Sequence, residues 1–417
     1  MHNCKVWGLV MESKYIRRAL EPVLKKASRE FPAVLLTGPR QAGKTTILKQ
    51  IFGDSHGYVS LDVPDIRLAA MTDPRGFLAA FPPPVILDEV QHVPELLAYI
   101  KEWVDSHRQD KGQFILSGSQ NILLMSNVTE TLAGRTAVLR LMPLSYREIS
   151  GHPAACLPWS DEKARSFDEH LVVPELWKTI VRGCYPELWV EPEREISFWY
   201  SSYIQTYLER DVRGLRQIGD LSQFQSFLQT VAARSAQLLN LADISSDLGI
   251  ALNTVKAWLS VLEATHQVVV VRPYFANIGK RLVKTPKVYF TDVGMVCHLV
   301  GLSAAKHASS GPMAGALMES AVFSEIYKTL LNEGVEPGIN FWRTSSGNEV
   351  DFLVRNGAGM VPIEVKASAT PAPIMSRGIQ RLRKDLGGSC HPGYVVHAGS
   401  MSLPLGSNVT ALPFGYL

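Results

Sequence analysis

The chain has 417 residues, of which 46% are hydrophobic and 19% are charged, and its formal net charge is +3. This balance excludes an extended disordered protein, and the length exceeds what one hydrophobic core usually serves, so we expect two or three domains. A net charge this small identifies no partner, so any contact with nucleic acid must come from local basic patches.

Cysteine usage and hydropathy bear on the compartment. The five cysteines form no C-x-x-C pair and no Cys/His spacing suited to zinc, which favours a reducing, cytoplasmic environment. No run reaches the roughly 18 apolar residues of a membrane helix, so no membrane contact is expected. Residues 1–10 lack a signal-peptide core, and we interpret them as an extension outside the fold.

Short apolar runs alternate with helical periodicity over the first 150 residues. A helix is predicted over residues 15–26, and a buried strand over 33–37 runs into a glycine loop. Two further strands are predicted at 85–87 and 114–116, and each ends in polar residues. Short apolar strands separated by helices indicate a parallel α/β sheet.

The glycine loop at residues 38–45 matches the pattern G-x-x-x-x-G-K-[ST] between a predicted strand and a predicted helix. Its glycines let backbone N–H groups turn inward around phosphate, and the following helix directs its positive dipole end at the same point. Lys44 would reach the β- and γ-phosphates of ATP, and Thr45 would ligate Mg²⁺. The predicted nucleotide-binding residues are Gly38, Pro39, Arg40, Gln41, Ala42, Gly43, Lys44, Thr45 and Thr46.

Polar residues beyond the next strands complete a predicted hydrolytic site. Asp88 and Glu89 end the second strand, where Asp88 would hold Mg²⁺ and Glu89 would polarise the attacking water as general base. Ser119 follows the third strand and would contact the γ-phosphate or the water. Arg135 lies close behind and is either an arginine finger, which often acts across a subunit interface, or an ordinary surface arginine.

The middle of the chain changes to helical periodicity after a linker at about residues 151–175. Helices are predicted at 198–208 and 224–239, then a helix-turn-helix broken at Gly249, with a strand at 266–271 as part of a wing. On a DNA-binding interpretation, Asn253, Thr254 and Lys256 meet the DNA, and basic residues from Arg272 to Lys287 track the phosphate backbone. On the alternative, this region is a packing domain or ATPase lid with solvated basic residues.

After a Gly/Ser/Ala-rich boundary at 303–315, we predict a helix at 318–331, strands at 350–354 and 361–365, a helix near 376–386 and a strand at 394–396. Asp351, Glu364 and Lys366 form the pattern D-x12-E-x-K. Since side chains alternate along a strand, Glu364 and Lys366 share one face. Two converging carboxylates bind Mg²⁺ or Mn²⁺, a lysine can activate water, and Glu319 can add a third carboxylate.

The C-terminal pattern resembles the P-D-(D/E)-x-K nuclease superfamily, with Val350 where proline would stand before Asp351. The non-catalytic alternative is a pair of surface strands that carry these charges on the solvent face. A nuclease fold that has lost catalysis and serves only for contacts is a further alternative.

The chain as a whole resembles the AAA-type P-loop ATPases, specifically a bacterial and archaeal group joined to a C-terminal domain of unknown function with a restriction-endonuclease-like pattern. The resemblance covers most of the chain and implies an α/β P-loop core, a helical and winged-helix middle, and ring assembly. The segments that carry it are 35–46, 87–91, 117–120, 132–135, 207–212 and 287–294.

Together these features predict an extension (1–10), an AAA-type ATPase domain (11–155), a helical lid and winged helix-turn-helix region (156–302), and an α/β restriction-endonuclease-like domain (303–417). We expect ATP and Mg²⁺ as cofactors, DNA as partner, and a homo-oligomer. Three functions stay open: an ATPase acting on DNA, an ATP-gated metal-dependent nuclease, and an oligomerising signalling or assembly switch with an inactive nuclease-like domain.

Overall fold

The computed structural model describes residues 15–118, 131–154, 156–160, 173–207, 221–274, 283–387 and 390–417. The α-helices in these ranges are α1 Glu21–Glu30, α2 Lys44–Phe52, α3 Pro64–Thr72, α4 Pro74–Ala80, α5 Leu96–Ser106, α6 Tyr146–Ile149, α7 Val173–Arg182, α8 Pro186–Val190, α9 Ile196–Tyr207, α10 Leu221–Ala233, α11 Leu241–Leu248, α12 Leu252–Ala264, α13 Val293–Leu299, α14 Ala305–Ser310, α15 Ala314–Asn332 and α16 Arg377–Leu386. The strands are β1 Ala33–Thr37, β2 Gly57–Ser60, β3 Val85–Asp88, β4 Phe114–Ser117, β5 Thr136–Arg140, β6 Val268–Val271, β7 Lys287–Phe290, β8 Ile339–Arg343, β9 Glu349–Asn356, β10 Gly359–Lys366, β11 Gly393–His397, β12 Leu403–Pro404 and β13 Val409–Pro413.

The N-terminal part of the described chain is built on a parallel sheet with strand order β2-β3-β4-β1-β5. Every residue of β1 is buried, with Ala33 and Leu35 in one hydrophobic cluster and Val34 and Leu36 in another. This two-sided burial explains why the strand is an unbroken apolar run. The predicted parallel α/β core is confirmed, and its strands end together at one edge.

The two largest differences from the predicted helix boundaries lie at the start of the first helix and at the end of α10. The first helix begins at Glu21 instead of residue 15, because Pro22 occupies its first turn, where a missing N–H costs nothing. Helix α10 ends at Ala233, and the chain beyond it turns along β7, where the N–H of Ala236 donates to Val288 over 2.8 Å. Periodicity alone did not distinguish this short paired segment from more helix.

The middle region is helical, as predicted. Helices α11 and α12 meet at Gly249, which adopts a left-handed conformation with φ of 64°. The side chain of Asn240 caps α11 by accepting from the N–H of Ala242. Strands β6 and β7 pair antiparallel after α12, so a strand does follow the helix pair, while its role as a DNA-binding wing stays a prediction.

The C-terminal part forms a mixed sheet with order β12-β13-β11-β10-β9-β8, and α15 and α16 pack against it. Strands β9 and β10 form an antiparallel hairpin in which Phe352 pairs with Ile363. Strand β11 adds parallel to β10. This separate α/β sheet confirms the predicted fold class, although β8, β12 and β13 were not anticipated.

A continuous hydrophobic cluster joins the middle and C-terminal parts, and it reaches Met142 and Leu144 just beyond the N-terminal sheet. Asp292, with 2% exposure, lies within this cluster. Its carboxylate accepts from the hydroxyl of Tyr200 at 2.6 Å and from the N–H groups of Cys184 and Met295 at 2.6 and 2.8 Å. Asp292 therefore joins α9, the end of α7 and the start of α13.

None of the helices in the described ranges is long and apolar enough to span a membrane.

Replacing Asp292 by Ala leaves the N–H groups of Cys184 and Met295 without their side-chain acceptor, while the Tyr200 hydroxyl keeps only its 3.2 Å contact with the Arg182 carbonyl. We therefore expect the free energy of unfolding to fall by about 3 kcal/mol. The matched control is Asp247→Ala, because Asp247 is 54% exposed and holds only a surface pair with Arg234. That change should cost less than about 1 kcal/mol. Urea denaturation measures both, and equal losses in the two variants would contradict the bracing role of Asp292.

Candidate functional site

The phosphate loop follows β1 at the carboxyl edge of the parallel sheet. Gly38 has φ of 146°, and a Cβ atom at this position would overlap the Leu141 carbonyl oxygen. Gly43 has φ of 91° and leads directly into α2. Both positions therefore require glycine for geometric reasons, and the loop has the strand-loop-helix context that the motif predicts.

Lys44 lies folded over this loop with 7% exposure. Its Nζ donates to the carbonyl oxygens of Gly38 at 3.0 Å and Pro39 at 2.8 Å. The ammonium group is therefore held by the loop that would surround the phosphates.

Asp88 connects three neighbouring elements at the same edge of the sheet. One carboxylate oxygen accepts from the hydroxyls of Thr45 and Tyr58, each at 2.8 Å, and the other accepts from Ser117. Burial and the hydrogen bond to Asp88 raise the pKa of Tyr58. The two predicted magnesium ligands, Thr45 and Asp88, are thus in direct contact.

Glu89 follows β3 in a left-handed conformation with φ of 58°, which is uncommon for a residue other than glycine. Its carboxylate accepts from the side chain of Gln91, and Glu89 lines the cavity above the loop. Sparsely populated backbone conformations concentrate at functional sites, so this geometry is consistent with a specific role for the side chain.

The cavity measures about 670 Å³, within the usual range for a small-molecule site. One wall is the phosphate loop, and Ile16 and Leu144 contribute apolar surface. The opposite wall comes from α8 and α9, which present Val190 and Tyr207 among other residues. The middle region therefore lines part of the cavity above the phosphate loop, a feature that no short motif indicates.

Arg135 lies at the amino ends of the parallel strands, whereas the phosphate loop lies at their carboxyl ends. Its guanidinium forms a two-point ion pair with Asp105, with distances of 2.6 and 3.1 Å. It precedes β5, so a five-residue strand of about 16 Å separates it from the loop edge. The side chain of Arg135 therefore does not reach the phosphate loop of its own chain, and a role as an arginine finger across a subunit interface stays a prediction. Ser119 lies outside the described residues.

The structure brings the predicted C-terminal residues together. Lys366 donates to Glu364 over 2.6 Å, and the N–H of Val365 donates to Asp351 over 2.7 Å. Glu319 of α15 lies against the same cluster. Burial and the charge of Asp351 raise the pKa of Glu319 to about 7 and that of Glu364 to about 8.

Lys287 enters this cluster from β7 and corrects its predicted place in a basic wing. It has 3% exposure, and its Nζ lies 2.9 Å from Glu319, 2.6 Å from Glu349 and 4.0 Å from Asp351. Burial alone would lower the pKa of Lys287, but the neighbouring carboxylates outweigh it and raise the pKa above its usual value. No sequence pattern indicates this contact, since a lysine among other basic residues is typical of a solvated surface.

Within the described ranges, no group of three or more His, Cys, Asp or Glu residues is arranged to hold a metal ion. The C-terminal carboxylates instead surround an ammonium group. Metal binding by Asp351, Glu364 and Glu319 therefore stays a prediction, and it would require Lys287 to move away.

His266, in the turn between α12 and β6, is buried with 8% exposure and a φ of 57°. Burial, with the charges of Arg140 and Lys44, lowers its pKa to about 3. The flanking side chains of Thr265 and Gln267 bond to Tyr207 and Tyr203 of the cavity wall. This turn therefore holds α9, the helix whose tyrosines line the cavity above the phosphate loop.

Comparison with known proteins assigns the segments separately. Residues 30–150 match a family model described as an AAA domain, while 173–306 and 314–417 match two domains of unknown function, DUF8612 and DUF4143. The matched segment 30–150 contains the phosphate loop, Asp88 and Glu89 and supports a P-loop ATPase-type domain. The predicted domain boundaries themselves stay predictions.

The relatives that align with this chain are distant in sequence. Uncharacterized proteins of Mycobacterium tuberculosis and Mycobacterium bovis are each 28% identical over 398 residues, covering 95% of this chain and 83% of theirs. An uncharacterized protein of Haemophilus influenzae is 22% identical over 286 residues, covering 67% of this chain and 64% of its own. A Walker-type ATPase of Pyrococcus abyssi aligns with a TM-score of 0.44 at 17% identity, covering 69% of this chain and 97% of that one.

The depressed pKa of His266 predicts a contribution to acid sensitivity. Below about pH 6.5 the unfolded chain protonates this histidine, whereas the folded chain does so only near its lowered pKa. The free energy of unfolding therefore decreases as the pH is lowered through this window. Between about pH 6 and pH 4 the wild type should lose up to about 1.4 kcal/mol per pH unit more than His266→Gln. Urea denaturation at each pH measures this difference.

The control His107→Gln removes an exposed histidine and should follow the wild type. Parallel plots of unfolding free energy against pH for wild type and His266→Gln would contradict the prediction.

Proposed function

We propose that this protein hydrolyses ATP with Mg²⁺ at the phosphate loop. The observation that carries the proposal is the 2.8 Å contact between Thr45 and Asp88, made beside a loop that already holds Lys44. Two oxygens this close, from the loop helix and the neighbouring strand, suit ligands of one Mg²⁺ ion. The donor set therefore fits the metal that the motif implies.

Each residue has a separate part in the reaction. Lys44 exchanges the carbonyls of Gly38 and Pro39 for β- and γ-phosphate oxygens. Thr45 and Asp88 would hold Mg²⁺, which neutralises charge on the phosphates. Glu89, on the rim of the cavity, accepts the proton of the attacking water while Gln91 orients its carboxylate.

The apolar end of the cavity would receive the nucleoside. Ile16, Leu144 and Val190 offer surface for a base, and the tyrosines of α9 close the wall. Because α8 and α9 belong to the middle region, nucleotide binding would bring the two parts of the chain together. We therefore propose that the middle region acts as an ATPase lid.

We further propose action on DNA, by a cytoplasmic homo-oligomer in which Arg135 serves a neighbouring subunit. Asn253 and Lys256 are exposed at the start of α12, where a recognition helix presents its side chains. Arg272 and Lys284 are also exposed and would meet phosphates. The burial of Lys287 weakens this basic surface.

A second candidate function is favoured by Lys287. With its ammonium group among Glu319, Glu349 and Asp351, the C-terminal unit would serve as an inactive nuclease-like interaction module of an ATP-dependent switch. A metal-dependent nuclease is the opposing hypothesis. It would need the ammonium to leave before a divalent cation could enter.

Two substitutions test ATP hydrolysis. Lys44→Ala should abolish ATP binding, because the loop loses its cation. Glu89→Gln should keep binding and lower kcat by about 100-fold or more, since an amide cannot accept the proton. Phosphate release and binding of a fluorescent ATP analogue measure the two steps. Glu95→Gln, an exposed change nearby, is the control; a wild-type rate in Glu89→Gln would exclude Glu89 as the base.

Nucleic-acid action is tested separately with duplex and single-stranded DNA. We expect DNA to stimulate ATP hydrolysis and to be retarded by the protein in gels, with no Mg²⁺- or Mn²⁺-dependent cleavage while Lys287 fills the cluster. An unchanged ATPase rate together with unchanged DNA mobility would contradict DNA action. Cleavage that disappears in Asp351→Ala and Glu364→Ala would instead establish the nuclease hypothesis.

A further inference from the structure

Helix α15 of the C-terminal part makes buried polar contacts with the segment that follows β5. The carboxylate of Glu325 accepts from the N–H groups of Tyr146 at 2.6 Å and Arg147 at 3.4 Å. The Nζ of Lys328 donates to the Leu144 carbonyl over 2.9 Å. Both side chains have 1% exposure, so a carboxylate and an ammonium group are aimed from α15 at one short stretch of backbone.

The other side of this segment holds the phosphate loop. Glu148 caps α6 by accepting from the N–H of Ser145 at 2.8 Å, and it accepts from Arg18 at 3.0 Å. The guanidinium of Arg18 also donates to the carbonyls of Met142 at 2.7 Å and of Ala42, within the phosphate loop, at 2.8 Å. Arg18 has 4% exposure and lines the nucleotide cavity.

We propose that Glu325 and Lys328 are positioning residues of the nucleotide site, acting through residues 144–148 and Arg18 on the phosphate loop. The proposal rests on ATP binding at that loop. A binding site needs its contacting groups held to within a fraction of an ångström. Here Glu325 and Lys328, from the C-terminal part, hold the backbone that in turn positions the phosphate loop. The nucleotide site is therefore complete only when the C-terminal part is docked.

The cost of this arrangement supports a specific role. Burying Glu325 raises its pKa, with Arg147 acting in the opposite direction. Buried charges seldom improve stability over apolar packing, and their best-established use is to fix one arrangement of neighbouring elements. Here the arrangement they fix is that of a loop whose geometry decides phosphate binding.

The same helix gives the contact a second consequence. Glu319, bound to Lys287, lies six residues before Glu325, or about 9 Å along the axis of α15. A shift of α15 on nucleotide binding would therefore be felt in the carboxylate cluster. Because linkage is reciprocal, a partner that binds the cluster would change the affinity for ATP by the same factor.

The test compares Glu325→Gln with Glu336→Gln. The first change keeps the shape of the side chain but removes its charge, whereas Glu336 is 76% exposed and pairs with Arg140, outside residues 144–148. With a fluorescent ATP analogue we expect Kd to rise about tenfold in Glu325→Gln and less than twofold in Glu336→Gln. At saturating ATP, kcat should change much less than KM, and Glu325→Asp should recover part of the affinity.

Double substitution shows whether the effect passes through Arg18. If it does, adding Arg18→Lys to Glu325→Gln weakens binding by less than the product of the single effects. Independent effects that multiply would overturn the route through Arg18. An unchanged Kd in folded Glu325→Gln would overturn the positioning role even if its melting temperature falls.

Hydrogen exchange tests the coupling in the wild type, so the result does not depend on whether a variant folds. ATP should slow exchange of the amides of residues 322–332, whereas unchanged exchange in ATP-saturated protein would contradict coupling through α15. Absence of ATP binding by the wild type would overturn the proposed function, and this inference with it. ATP binding that is insensitive to Glu325 would overturn the inference alone.

Discussion

The buried ion pair between Arg18 and Glu148 holds together parts of the chain that lie 130 positions apart. The carboxylate of Glu148 also caps α6, and Arg18 donates to the phosphate loop. Removing either partner would leave the other charge buried and unpaired, which is costly. The phosphate loop, the end of β5 and α6 therefore keep one geometry, and the nucleotide cavity and the docking of α15 both depend on it.

Buried carboxylates are stabilised differently at the phosphate loop and in the C-terminal cluster. At the carboxyl edge of the parallel sheet, Asp88 accepts from the hydroxyls of Thr45, Tyr58 and Ser117, which are weak partners that a cation can replace. In the C-terminal cluster the cation is already part of the chain, as Lys287. The first arrangement suits binding and turnover, and the second suits a stable contact between β7, α15 and β9.

Much of this fold could be predicted because its signals are local. The phosphate loop needs glycines at fixed spacing between a strand and a helix, and Gly38 and Gly43 occupy backbone conformations that explain this need. Alternation along β10 placed Glu364 and Lys366 on one face, where they do meet. Parallel strands also bring Asp88 to the edge that carries Thr45 without any knowledge of distant contacts.

The rest depends on pairs that no local pattern encodes. No local sequence pattern marks the ion pair of Arg18 with Glu148 or that of Lys287 with Glu319. Both pairs join residues far apart in sequence and form only in the folded chain. Tyr58 was missed for the same reason, since its hydroxyl reaches Asp88 from a neighbouring strand. Arg135, the candidate arginine finger, lies away from the phosphate loop of its own chain because it precedes β5, which runs parallel to β1.

The central claim is that Thr45 and Asp88 bind a magnesium ion together with ATP. The most direct measurement is calorimetric titration of ATP into wild type and Asp88→Asn, with Mg²⁺ and again with EDTA. If both residues hold the ion, Mg²⁺ tightens ATP binding to the wild type and has little effect on Asp88→Asn. The same gain from Mg²⁺ in both proteins, or no ATP binding by the wild type, would contradict it.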